Sequence, residues 1–131
     1  MVDYSFFALL FLIANTLAPD ATHEVAWVNE RHPEQTITWT HAEDGWRMQV
    51  NGRDLGVLRR DGDVVVHDTG QGTPARVPVS RLARVARGSR RVRLLGQFAP
   101  TVLEVDRSGP RLRLVDPGRA LLRTPLRLTG R

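Results

Sequence analysis

Apolar positions run unbroken from residue 6 to residue 14 and are nowhere else so dense; after residue 35 they return with period two, the spacing of strands. A run that is apolar on every side predicts a helix enclosed on all faces, by lipid or by protein. Residues 4–18 have the length of a secretory signal's apolar core, and residues 2–21 approach the about 20 positions that a bilayer-crossing helix needs. Asp3 stands where a signal usually carries Lys or Arg, and Pro19 follows the small-residue site Thr16-Leu17-Ala18. A retained membrane anchor therefore stands beside a cleaved signal peptide as the expectation for residues 1–21. On either reading Phe6, Phe7, Leu9, Leu10, Phe11, Leu12 and Ile13 meet the membrane, and Trp27 is an interfacial anchor, a strand residue or a partner contact. The expected location is periplasmic or secreted, or at the membrane.

The alternating stretches predict antiparallel hairpins. Ile37, Trp39 and His41 alternate with Thr, and a turn at residues 42–45 sets His41 against Trp46, Trp39 against Met48 and Ile37 against Val50. Asn51-Gly52 is a strong two-residue type I′ turn signal, and it carries the ladder on from Met48 to Leu55 and from Trp46 to Val57. A second turn at Asp61-Gly62 pairs Val57 with Val66 and Leu58 with Val65, which places His41 and His67 on opposite faces. Further strands are expected at 91–95, 101–106, 111–115, 120–122 and 126–128. The turn at 107–110 sets Leu103 against Leu114, Glu104 against Arg113, Val105 against Leu112 and Asp106 against Arg111. Ser80 as N-cap and Gly88 as stop predict one short helix near 80–87. The fold class that results is all-β: a small antiparallel barrel or sandwich built from β-meanders, with an N-terminal apolar helix. Residues 22–131 form its single domain.

Composition narrows the chemistry. The 131 residues contain no Cys, and all 19 Lys-plus-Arg positions are Arg. Disulfides, thiolate metal sites, P-loops and Schiff-base lysines are thereby excluded. Charge is divided along the chain: residues 22–75 carry nine acids and five Arg, whereas residues 76–131 carry fourteen Arg and three acids. A basic half of this density pairs with the chain's own acidic half or attracts an external anion. Arg81, Arg84, Arg87, Arg90, Arg91, Arg93 and Arg127 are the candidate anion- or partner-binding residues. Nucleic acid is disfavoured, because only Phe98 offers an aromatic ring for base stacking in that half.

No metal site is expected, since the four His residues are not spaced as ligands, and no cofactor motif is present. Asp68-Thr69-Gly70, preceded by the apolar Val64-Val65-Val66, together with Leu94-Leu95-Gly96, resembles the active-site elements of retropepsin-like aspartic peptidases. The resemblance implies Asp68 as general acid/base, Thr69 and Gly70 as its supporting turn, and an obligate homodimer acting on peptides. The chain outside these two elements carries no catalytic constellation. The leading expectation is therefore non-catalytic: an accessory or binding module of an envelope or membrane complex, its basic half meeting an acidic protein surface or complex subunit. Anionic lipid headgroups or an anionic polymer are the alternative partners, and the shortened peptidase is the alternative activity.

Overall fold

The computed structural model describes residues 4–85, 91–96, 102–106, 111–114 and 126–130, with backbone alone for Tyr4, Val85, 102–106 and 111–114. The expected strand at 120–122, the turn at 107–110, Phe98, Arg87 and Arg90 lie outside the described residues. The apolar run is the helix α1, Tyr4–Leu17. Two of its polar side chains bond back onto the helix itself, Asn15 Nδ2 donating to Phe11 O at 3.0 Å and Thr16 Oγ1 to Leu12 O at 2.8 Å. Neither amide nor hydroxyl is thus left bare against apolar neighbours.

Among the described residues eleven antiparallel strands follow: β1 Glu24–Asn29, β2 Thr36–Ala42, β3 Gly45–Val50, β4 Arg53–Asp61, β5 Val64–Asp68, β6 Ala75–Pro78, β7 Ala83–Val85, β8 Arg91–Leu94, β9 Val102–Asp106, β10 Arg111–Leu114 and β11 Leu126–Gly130. Seven of them pair in the order β6-β5-β4-β3-β2-β1-β11, and β7 pairs with β8; the backbone ladders of β9 and β10 connect the two groups. The all-β expectation holds. β6 and β7 stand at opposite ends of the strand order, yet only a 3-10 turn, Val79–Arg81, and Leu82 join them in sequence. The sheet must therefore curl until its ends come together.

What it curls around is α1, which touches β1 in the middle of the order, β5 and β6 at one end and β7 at the other. None of residues 8–14 is more than 4 % exposed. They pack against Val25, Trp27, Trp39, Met48, Leu58, Val65, Leu82, Val92, Leu94 and Leu128 from around the sheet. Each fully buried Leu, Ile or Phe contributes about 1.5–3 kcal/mol, so the helix is a large share of the core. One buried polar contact fixes its position: Trp27 Nε1 donates to Leu10 O at 3.0 Å.

The β2–β3 ladder has the expected register throughout, and so does β9–β10. Asn51 and Gly52 both have positive φ, 52° and 84°, as a type I′ turn requires. Two registers differ from expectation. Between Arg47 and Gln49 the β3–β4 ladder shifts, so that Leu55 and Gly56 together oppose Met48 and Trp46 pairs with Leu58 instead of Val57. Gly56, at φ 99°, is the bulged residue, and a strand glycine is the usual site of a bulge. The β4–β5 turn is Gly62-Asp63, one residue later than expected, and Leu58 pairs with His67. Gly62 has φ 59° and takes the first turn position, which a type II′ turn reserves for glycine.

The bulge also reverses one inference about faces. His41, Trp46, Leu58 and His67 form a row across four strands on the same, inner face. The expected helix near 80–87 is likewise corrected: Val79–Arg81 is a single 3-10 turn and Ala83 to Val85 is strand β7. A helix of eight residues is marginal by itself. Here pairing with β8 and the burial of Leu82 and Ala83 outweigh it.

Candidate functional site

On β7 and β8 the strand period sorts the side chains. Ala83, Val92 and Leu94 are buried towards α1, and Arg84, Arg91 and Arg93 are exposed on the outer face. The register places Arg84 directly opposite Arg93. Like charges directly across a ladder repel, by a few tenths to about 1 kcal/mol. Neither guanidinium has an ion-pair partner among the described residues, nor do Arg81, at the end of the 3-10 turn, and Arg127, exposed on β11. Arg91 faces Glu104 in the β8–β9 ladder.

The described ion pairs of Arg lie elsewhere. Arg47 Nη1 meets Asp54 Oδ2 at 2.9 Å, and Arg76 Nη2 meets Asp61 Oδ2 at 3.2 Å. Two acids of the first half, both on β4, are thus paired with arginines outside β7 and β8. A candidate anion-binding surface results, with Arg84 and Arg93 at its centre. The sequence pointed to these residues through a helical spacing; the strand pairing is what brings them together.

The peptidase-like elements are placed apart. Asp68 ends β5 as an exposed residue and accepts a hydrogen bond from Gly70 N at 2.8 Å, closing an Asx turn, while Thr69 Oγ1 donates to Gln71 O at 3.2 Å. Leu94 pairs with Ala83, and Gly96 lies against the backbone of Arg81, its hypothetical Cβ only 2.6 Å from Arg81 O. Because β6 runs from Ala75 beside His67 to Pro78 beside Val64, the Asp68 turn and the 3-10 turn sit at opposite ends of β6.

Asp68, Thr69 and Gly70 instead line a shallow outer groove of about 600 Å³ with Asp44, Arg47, Arg53, Asp54, Leu55, Gly56, Val57 and Gln71. The bulge builds its floor and leaves two ladder groups to be satisfied by side chains. Gly56 N donates to Asp54 Oδ1 at 2.9 Å, and Leu55 O lies 2.7 Å from Nε2 of the buried His67. The Gly56 amide, and then the Arg47 guanidinium, hold the Asp54 carboxyl below its ordinary pKa. Sequence reasoning missed this groove; the unpaired Gly56 in an otherwise regular strand was the signal for it.

Of the expected membrane contacts, Leu9, Leu10, Phe11, Leu12 and Ile13 are buried by the sheet, and Phe6 and Phe7 are half-buried against the same core. Trp27, 1 % exposed, is a core residue of a central strand and not an outer-surface aromatic. No described helix is long and apolar enough to cross a membrane. Among the described residues no group of three or more His, Asp or Glu is placed to hold a metal ion. Family models, curated proteins and solved structures provide no match to this chain.

Proposed function

We propose that this protein is a non-catalytic, exported or membrane-associated β-domain that serves as an accessory binding module, meeting an acidic protein surface through the outer face of β7 and β8. The observation that carries the reading is the direct opposition of Arg84 and Arg93, neither of which is in an ion pair among the described residues. An arrangement that costs stability in the free protein is relieved when a partner supplies carboxylates. The binding reading is favoured over a peptidase because Asp68 is an exposed turn residue whose carboxylate is occupied by the Gly70 amide.

The same buried side chains that would face lipid fill the sheet, so α1 serves one environment at a time. In the folded domain it is the core, and attachment to a complex then falls to the outer surface. Titration of the full chain with poly-L-glutamate at rising salt tests the proposal. Binding should weaken steeply between 50 and 200 mM salt, on the order of the screening change over that range, and should be lost in the Arg84→Glu/Arg93→Glu variant. Affinity indifferent to salt, or retained in the double variant, refutes it. Preference for phosphatidylglycerol vesicles over poly-L-glutamate assigns the face to lipid instead.

A further inference from the structure

A second cavity opens where α1 meets the turn-bearing ends of β3, β4 and β5. It has a volume of about 310 Å³ and is lined by Phe11, Leu12, Asn15, Gly45, Trp46, Arg59, Arg60 and Val65. Its chemistry is uneven. Phe11, Leu12, Trp46 and Val65 make apolar walls, and Asn15 Nδ2 donates to Phe11 O. The indole of Trp46 is held from the rim by His41, ring centroids 5.1 Å apart at 78°.

At the opening stand two exposed cations, Arg59 and Arg60. Arg60 Nε donates to Gly62 O at 3.0 Å, which anchors that side chain beside the opening. Neither arginine has an ion-pair partner among the described residues, and the neighbouring Asp61 is engaged with Arg76. On the adjoining turn Glu43 is exposed, and Asp44 lines the outer groove with Arg47 and Asp54. Gly45 lets β3 pack closely on β4 beside the cavity: a Cβ there would lie 2.7 Å from Leu58 O and 2.9 Å from Val57 Cγ1.

We infer that this mouth binds an amphiphile with one anionic head, a medium-chain fatty carboxylate, its chain against Phe11, Leu12, Trp46 and Val65 and its carboxylate at the guanidinium of Arg60. Small-molecule sites characteristically combine a mostly apolar cavity with a few convergent polar groups. Here the polar group on the cavity side of β4 is Arg60, whose register partner Val65 lines the cavity and whose forked donors match a carboxylate. A methylene occupies close to the volume of a water, about 30 Å³, so the cavity takes a chain of about ten carbons. This inference uses a different face and different residues from the β7–β8 surface, and stands or falls independently of it.

Calorimetric titration of the full chain with decanoate below its micellar concentration is the test, with decyltrimethylammonium as the opposite-charge control. Decanoate should bind one to one, the cationic control at least about tenfold more weakly, and Arg60→Ala should lose about tenfold in decanoate affinity while keeping the native circular dichroism. A brominated decanoate should quench tryptophan fluorescence, and that quenching should fall in Trp46→Phe, whose other two tryptophans lie within the core. Absence of decanoate binding, equal affinity for the cationic chain, or unchanged affinity in the arginine variant overturns the assignment. Quenching that persists undiminished in Trp46→Phe places the amphiphile elsewhere and overturns it as well.

Discussion

Gly56 shows how much one residue sets. Its missing side chain admits the close approach of β5: a Cβ there would come within 2.2 Å of Asp68 O and 2.8 Å of Thr69 Cα, at a φ that already disfavours any L side chain. Gly56→Ala should therefore lower stability by about 1–3 kcal/mol, read as a fall in the denaturation midpoint, and should disturb the Asp68 turn. Asp54 answers to pH in a definite direction. Its folded-state pKa lies below the ordinary value, because the Gly56 amide and then Arg47 favour the carboxylate. The stability it contributes is present above the unfolded pKa and is lost as pH falls through the folded one. Thermal melts of Asp54→Asn should accordingly show a shallower decline on acidification than those of the native chain.

At the scale of elements, the strands follow their local signals wherever the turn chemistry is strict. The turn at residues 42–45 and the alternation of Ile37, Trp39 and His41 carry enough information to set the β2–β3 register, because a one-residue slip would turn Trp39 and Met48 to water. The stretch around Arg81 and Arg84 did not reveal itself in this way. Its arginines fit a helical repeat, and only the ladder to β8, with Leu95 N donating to Leu82 O at 2.9 Å, makes it a strand. That ladder produces the Arg84–Arg93 opposition, from which a trade-off follows. Arg84→Glu should raise the stability of the free protein by up to about 1 kcal/mol, since it turns a repulsive cross-strand pair into an attractive one. The same variant should bind an acidic polypeptide less well, and equilibrium unfolding beside a binding titration checks both halves.

For the molecule as a whole, the decisive relation is between α1 and the sheet around it. The sheet's inner face carries Trp27, Trp39, Met48, Leu58 and Leu94, each almost fully buried, and no second layer of strands or helices supplies what α1 covers among the described residues. Removal of residues 1–21 should leave a chain that has strand content but lacks fixed packing, with weak near-ultraviolet dichroism and strong binding of a hydrophobic dye. A shortened chain that melts cooperatively at the native midpoint would contradict this account of the core.

The sequence by itself determined the apolar helix, the all-β class, the registers of β2–β3 and β9–β10 and the absence of thiol and lysine chemistry, because these depend on contacts between near neighbours or on which residue types exist at all. Tertiary structure alone decided what encloses the helix. A run apolar on every side demands an apolar surrounding without saying whether lipid or protein provides it, and the curl of the sheet supplies protein. It also decided which arginines meet, since a strand's outer face is assigned by its partner strand, and it created the bulge groove and the mouth beside Trp46, which arise where segments distant in sequence come together.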